Sequence, residues 1–95
     1  MLLVISRFDY DADREEELID WLDRVERCNH ALIAPPLRVR GEEGALYTLA
    51  RYRDLAERNA WVADQRRHEL VAQLGSIAGA AKQVYEAELI EEEMI

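Results

Sequence analysis

The sequence predicts an α+β fold of the ferredoxin-like type, in which a four-stranded antiparallel sheet carries two helices on one face. The main observation behind this prediction is the order of elements along the chain, β-α-β-β-α-β. The second is that turn or helix-start signals separate these elements. The expected strand order is 4-1-3-2. The 95 residues form one domain, 1–95, in which 91–95 is an acidic tail.

The first strand and the first helix occupy the N-terminal third of the chain. Residues 2–10 are rich in β-branched and aromatic residues, which is typical of a strand. A helix is predicted over 13–29, with Asp13 as its N-cap and Glu16 completing a capping box. Its apolar residues recur at intervals of three and four and form one stripe: Leu18, Trp21, Leu22, Val25 and Cys28.

A hairpin follows the first helix. Pro35-Pro36 excludes further helix, and the next four residues, 37–40, alternate as a strand does. Gly41 and Gly44 lie at the two ends of a turn, after which 45–52 forms the returning strand. The second and third strands are therefore expected to pair antiparallel.

The last third of the chain predicts a helix and a strand. Asp54 is the expected N-cap, with Glu57 three residues later, and the helix runs to about Leu74 with Gly75 as a left-handed C-cap. Because Arg66 and Arg67 interrupt its apolar face, two helical pieces with a bend near Asp64 are the alternative. The expected core residues of this helix are Ala60, Ala63, Leu70, Val71 and Leu74. Residues 82–90 form the last strand.

Composition and charge exclude several classes of protein. Hydrophobic residues make up 49% of the chain, so a disordered chain is excluded. The net charge of −8 argues against nucleic acid and against an anionic membrane surface as partners. A single cysteine, Cys28, excludes an intrachain disulfide, and neither a signal peptide nor a membrane span is apparent. We therefore expect a soluble, cytoplasmic protein.

The sheet face away from the helices is predicted to combine charged and apolar residues. Alternation along the strands could bring many of six charges onto this face, among apolar residues such as Ile5 and Leu49: Arg7, Arg38, Arg40, Arg51, Glu86 and Glu88. Three interpretations remain open. The face is a surface crossed by salt bridges, an arginine cluster that holds a carboxylate or another anion, or a surface that a second copy of the chain covers.

One run of residues resembles a known family. Tyr52 ends the third strand, and Tyr52-Arg-Asp-Leu-Ala-Glu-Arg-Asn-Ala-Trp61 combines a helix start with a second aromatic residue nine positions later. Together with the order of elements, this run resembles the dimeric α/β-barrel superfamily and, within it, the antibiotic biosynthesis monooxygenase (ABM) domains. Residue-level similarity is confined to about 45–70. The resemblance implies a homodimer that packs through its sheets, a small-molecule ligand and no tightly bound cofactor.

The chain departs from the family at two places. The Pro-Gly-aromatic start that is common on the second strand is replaced by Ala34-Pro-Pro-Leu37. Haem-degrading proteins of similar fold use an asparagine on the first strand, whereas Ser6 and Arg7 stand here. They also place a histidine about ten residues after a tryptophan, and His68 follows Trp61 by seven. Haem degradation is therefore disfavoured.

The candidate site lies between the second helix and the sheet. On a straight helix Trp61, Gln65 and His68 share one face, and the predicted substrate-binding residues are Trp61, Tyr52, Trp21, Phe8 and Gln65. The predicted catalytic residues are His68 as the base, with Arg7 or Arg51 holding the developing oxyanion. Each also has a structural interpretation, because Trp61 suits a core or interface and His68 suits an exposed helix face. No spacing typical of a metal site occurs.

These residues lead to two expectations of different classes. The first is an ABM-like monooxygenase that acts on a small aromatic or polyketide-type substrate. The alternative is a non-catalytic protein of the same dimeric α/β-barrel type, which binds a small ligand or serves in a stress response. A small regulatory domain whose dimer is the functional unit is a third possibility, and the fold does not choose among them. His30, just after the first helix, is expected to cap its last carbonyls.

Overall fold

The computed structural model describes the backbone of residues 1–88 and the side chains of residues 1–81. The strands and helices are β1 (Leu2–Asp9), α1 (Glu15–Cys28), β2 (Leu37–Arg40), β3 (Ala45–Tyr52), α2 (Leu55–Val62), α3 (Gln65–Ala72) and β4 (Ala81–Glu88). Short 3-10 turns occur at Ala12–Arg14 and Leu74–Ser76. This order confirms the α+β, ferredoxin-like prediction. The predicted end of the last strand at Ile90 and the tail at 91–95 lie outside the described residues.

All neighbouring strands of the sheet pair antiparallel, in the order β2-β3-β1-β4. Seen from the other edge, this order reads 4-1-3-2. β1 is central: Leu2 pairs with Tyr52 of β3 on one side and with Glu88 of β4 on the other. In the described part of the chain, no helix has the length and apolar character to cross a membrane.

Alternation along β1 separates the two faces of the sheet. Val4, Ser6 and Phe8 point toward the helices and are buried, whereas Leu3, Ile5 and Arg7 lie on the open face. Under the helices, the ring of Phe8 meets Trp21 edge to face at 5.8 Å between centroids. The predicted apolar stripe of α1 is confirmed by the burial of Leu18, Trp21 and Leu22, with Val25 and Cys28 partly buried.

The second helical region is broken, as the alternative prediction allowed. Asp54 caps α2 by accepting a hydrogen bond from the Glu57 N–H at 2.9 Å, and Asp64 caps α3 by accepting one from the Arg66 N–H at 2.8 Å. Because a new helix starts after Asp64, the face predicted for one straight helix is not preserved. Ala60 and Ala63 are exposed, contrary to prediction, and Trp61 takes the buried position.

Two predicted helix ends were wrong. The capping box at Asp13 and Glu16 does not form, because Asp13 lies in a 3-10 turn and Arg14 precedes α1 without a side-chain cap. Gly75 is not left-handed and lies in the second 3-10 turn. Positive φ values occur later, at Ala78 and Gly79, where the chain turns into β4.

Many of six charges were expected to share the open face, and for Arg38 and Arg40 this expectation was wrong. The register pairs Arg38 with Thr48 and Arg40 with Leu46, both of which are buried on the helix side of the sheet. Arg38 therefore reaches α1, where it binds Asp23 at 2.7 Å and Glu26 at 2.5 Å, and Arg40 binds Glu15 at 2.7 Å. A shift of one residue in strand phase moves every side chain to the other face.

The side chains of Glu86 and Glu88, on the last strand, lie outside those that the structure describes. In the register, Glu86 pairs with Val4 and Glu88 with Leu2, while Arg7 pairs with Gln83. Among the described side chains, the open face keeps only two of the six expected charges, Arg7 and Arg51, among apolar neighbours.

Gly44 provides a stability test for the β2–β3 turn. Its φ is +78°, and a Cβ added there would lie 2.9 Å from the Tyr10 carbonyl oxygen. We expect Gly44→Ala to lower the free energy of unfolding by about 1–3 kcal/mol in urea titrations followed by tryptophan fluorescence. Gly75→Ala is the control, because its added Cβ meets no atom within 4 Å. Equal effects of the two substitutions would contradict this account of the turn.

Candidate functional site

A cavity of about 90 Å³ lies between the sheet and the helices. This volume is several times the roughly 10–15 Å³ that one water requires, so the cavity accepts a small ring. Four of the five predicted substrate-binding residues line it: Phe8, Trp21, Tyr52 and Trp61. β1, α1, β3 and α2 each contribute one of these aromatic side chains, so the cavity depends on the packing of the whole fold.

The aromatic walls are buried and fixed by their neighbours. Phe8 and Trp21 are 2% and 1% exposed, and Tyr52 and Trp61 are 5% and 8% exposed. The Trp21 indole Nε1–H donates to the Leu70 carbonyl oxygen at 2.8 Å, which ties α1 to α3 across the top of the cavity. Trp21, whose indole N–H is already bonded, presents an apolar face to a ligand.

The polar part of the wall centres on Tyr52 and Asn29. The Asn29 side-chain Nδ2 donates to the Tyr52 hydroxyl oxygen at 2.9 Å, and Asn29 Oδ1 accepts from the Ala31 N–H at 3.2 Å. Burial raises the pKa of the Tyr52 phenol, and the hydrogen bond from Asn29 opposes this shift only in part. Tyr52 is therefore neutral at physiological pH. Ser6 and Thr48 add two buried hydroxyls on the sheet side.

Two arginines, Arg58 of α2 and Arg67 of α3, also line the cavity. Burial lowers the pKa of the Arg67 guanidinium, and the positive charge of Arg58 lowers it further. A guanidinium nevertheless stays protonated in proteins, so the cavity has a cationic side. The carboxylate of Glu26, which is also part of the lining, is bound by Arg38 at 2.5 Å.

The structure does not bring the predicted base into this cavity. His68 is exposed on α3, and Gln65, a predicted substrate-binding residue, is exposed as well. The spacing of four and seven from Trp61 places these residues on one face only when the helix is continuous, and the chain breaks at Asp64. Arg67, beside His68, lines the cavity instead.

Arg7 and Arg51, the predicted oxyanion holders, are separated from the cavity by the sheet. Both lie on the open face, because they pair in register with Tyr47 and Leu3. The Arg7 guanidinium donates to Asp9 at 3.0 Å, to the Tyr47 hydroxyl at 2.9 Å and to Glu42 at 3.1 Å. Arg7 therefore ties strand β1 to the hairpin, on the side of the sheet away from the cavity.

Sequence reasoning missed Asn29, Arg58 and Arg67. One signal was available for Arg67, because a charged residue interrupted an otherwise apolar helix pattern. Asn29 was missed because His30 was expected to cap α1. The structure corrects this expectation: Asn29 occupies the C-cap, its N–H bonds to the Val25 and Glu26 carbonyls, and His30 is exposed. Across the described residues, no cluster of three or more His, Cys, Asp or Glu could hold a metal ion.

A wider groove of about 530 Å³ adjoins the cavity. It lies between the C-terminal half of α1 and the segment 31–36, and it shares Glu26, Asn29, Leu32 and Pro36 with the cavity lining. The groove therefore borders the cavity on the side of the segment 31–36. The ion pairs of Arg38 with Asp23 and Glu26 fasten α1 to β2 beside this opening.

The bond between Asn29 and Tyr52 can be measured with a double-mutant cycle. We expect Tyr52→Phe to lower the free energy of unfolding by about 1 kcal/mol and Asn29→Ala by about 2 kcal/mol, since Asn29 also binds Ala31. The coupling between the two changes should be roughly 0.5–1.5 kcal/mol in urea titrations. Tyr10→Phe is the control partner, because Tyr10 bonds to Glu15 instead. Additive effects of Asn29→Ala and Tyr52→Phe would contradict the geometry.

Comparison by sequence finds no relative: no protein-family model matches the chain, and no curated protein matches it. Comparison of structures finds several. A candidate antibiotic biosynthesis monooxygenase from Deinococcus radiodurans superposes with a TM-score of 0.84 at 12% identity, covering 100% of this chain and 98% of that one. Rv0793 from Mycobacterium tuberculosis gives 0.78 at 20% identity, with 97% of each chain covered.

A third similar structure is SnoaB from Streptomyces nogalater, described as a cofactor-independent oxygenase. It superposes with a TM-score of 0.69 at 11% identity, covering 99% of this chain and 97% of that one. These matches extend over nearly the whole length of each protein, so the likeness concerns the complete domain. The chain has the fold of the antibiotic biosynthesis monooxygenase domain proteins.

Proposed function

We propose that this protein is an ABM-like monooxygenase that oxidises a small aromatic or polyketide-type substrate in the cavity between sheet and helices. The observation that carries the proposal is the enclosure of this cavity by four aromatic side chains. Such walls hold a planar ring and exclude water from it. The shared fold with SnoaB, a cofactor-independent oxygenase, supports the same reading.

The proposed reaction converts a hydroxyarene and dioxygen into a quinone and water. An ionised hydroxyl makes the ring electron-rich, and a ring carbon that carries hydrogen forms the new C–O bond with dioxygen. The O–O bond then breaks: one oxygen stays as a carbonyl, and the other leaves as water with the C–H and O–H hydrogens of the substrate. All four electrons come from the ring, so the reaction needs no reductant and no tightly bound cofactor.

In this reaction the protein binds the substrate and excludes water from it. Neither histidine belongs to the described lining of the cavity, so an acidic hydroxyarene that arrives already ionised is the substrate the site suits. The aromatic walls align the ring, which is the contribution that positioning makes to a bimolecular reaction. The adjoining groove beside 31–36 is the proposed entrance.

The second candidate function is a non-catalytic module that binds a small aromatic ligand in the same cavity. The absence of a histidine from the described lining favours it, because binding requires no base. Both candidates use the same walls. They differ in whether dioxygen is consumed.

Oxygen uptake separates the two candidates. With 1-naphthol as probe, at an alkaline pH at which its hydroxyl is ionised, we expect the protein to consume one dioxygen per 1,4-naphthoquinone formed, with one ¹⁸O atom of labelled dioxygen in the product. Trp61→Phe should lower kcat/KM about tenfold, since the ring is positioned less well. Arg66→Gln, on the exposed side of α3, is the control and should not change it. Binding of naphthols without oxygen uptake would reject the monooxygenase and leave the binding module.

We also propose that the protein works as a homodimer through the open face of its sheet. Leu37 and Val39 of β2 are 65% and 48% exposed there, beside the half-buried Ile5 and Leu49. A second copy packed on this face would remove these side chains from water and form an α/β barrel. The partner in this proposal is an identical chain.

The dimer proposal predicts a specific effect of a charge on the open face. Val39→Lys should raise the dimer dissociation constant by at least about 100-fold, because an unpaired ammonium would be buried in the interface. Sedimentation equilibrium measures this as a shift from twice 11.0 kDa toward 11.0 kDa. Leu55→Lys is the matched control: Leu55 is similarly exposed, at 54%, but lies at the start of α2. A monomeric parent protein, or equal effects of both changes, would refute the proposal.

A further inference from the structure

The bond between Asn29 and Tyr52 has a fixed direction. Asn29 Oδ1 accepts from the Ala31 N–H, so the amide must turn its Nδ2 toward Tyr52, 2.9 Å away. An amide NH₂ group can only donate, and the Tyr52 oxygen is therefore the acceptor. Among the residues whose side chains the structure describes, no acceptor takes the hydroxyl hydrogen of Tyr52.

Six arginines of the described chain form ion pairs with carboxylates, and Arg67 differs from them: Arg7, Arg14, Arg38, Arg40, Arg53 and Arg66. No carboxylate on a described side chain pairs with Arg67, although this residue is half-buried. Tyr52 and Arg67 both line the cavity. A half-buried cation that no described carboxylate neutralises favours an anion beside it.

We propose that the Tyr52 hydroxyl and the Arg67 guanidinium together bind the ionised oxygen of an aromatic acid, whose ring lies between the aromatic walls. The hydroxyl supplies a hydrogen bond and the guanidinium supplies a charge-assisted one, which is the stronger kind. Glu26 does not compete for Arg67, because Arg38 holds it. The inference rests on the proposed function for the cavity as a ligand site and deepens it by naming the charge of the substrate.

Benzoate and benzamide are a matched pair of probes, since they share a ring and differ in charge. Both tryptophans of the chain line the cavity, so their two indole N–H signals in a ¹H–¹⁵N NMR spectrum report binding. We expect benzoate to shift both signals and to bind at least about ten times more tightly than benzamide. Pentafluorophenol, ionised at neutral pH, tests whether a phenolate is accepted as well as a carboxylate; either ion supports the site.

Variants test which residues cause the preference for benzoate over benzamide. Arg67→Gln should remove the preference for benzoate over benzamide, Tyr52→Phe should reduce it, and Arg67→Lys should retain part of it. Arg66→Gln is the adjacent control, because Arg66 pairs with Asp64 and does not line the cavity. Urea titration of Arg67→Gln should show no loss of stability, since the change removes a half-buried cation that no carboxylate of the described side chains neutralises.

Three results would overturn the inference: no shift of either indole signal by benzoate or by pentafluorophenolate, benzamide that binds as tightly as benzoate, or equal weakening by Arg66→Gln and Arg67→Gln. Equal weakening by the two substitutions would show that benzoate responds to the overall charge of the protein and not to Arg67 at the cavity. These failures are distinct from failure of the proposed function. A charge preference without oxygen uptake would reject the monooxygenase and keep the anion site, and oxygen uptake without a charge preference would do the reverse.

Discussion

The central strand, β1, constrains both the cavity and the open face of the sheet. Each of its residues belongs to one face of the sheet, because side chains alternate strictly along a strand. Val4, Ser6 and Phe8 form the floor of the cavity, and Leu3, Ile5 and Arg7 form the open face. The cavity and the open face are therefore two sides of one layer. A change of register in β1 would exchange them, which is a stronger constraint than any single contact in the core.

The break at Asp64 is the second constraint, and it decides what the helices offer to the cavity. It ends α2 shortly after Trp61 and lets α3 begin with its own cap. As a result, Arg67 lines the cavity while His68 is exposed. A continuous helix would have kept the spacing from Trp61 to His68 on one face. The chemical character of the site, cationic and without a histidine among its described residues, follows from one local interruption.

Much of the fold could be predicted from the sequence, because local signals agree with the global arrangement. The apolar stripe of α1, the glycines around the β2–β3 turn and the cap at Asp54 each identified an element. Four aromatic residues of the cavity were also predictable, since large rings close to helix starts and strand ends tend to be buried. These signals depend only on neighbouring residues.

The predictions that failed concern contacts between residues that are distant in the sequence. The phase of β2 cannot be read from Leu37–Arg40 alone, because arginine and leucine alternate and either set could face outward. Its phase is fixed by pairing with β3 and by the acids of α1 that receive Arg38 and Arg40. The contact of Asn29 with Tyr52 was missed for a similar reason. An asparagine after a helix predicts a cap, and nothing local shows that its amide reaches Tyr52, 23 residues away.

The amide of Asn29 has one further consequence, which concerns ageing of the protein. Loss of its ammonia, by the deamidation to which asparagine is prone, would leave a carboxylate that only accepts hydrogen bonds. The backbone N–H of Ala31 would keep one oxygen, and the other would then draw the hydroxyl hydrogen of Tyr52 to itself. The polarity of the bond would be reversed and a negative charge added next to the cavity. A change of one atom group would thus add a charge that opposes the binding of an anion at the proposed site.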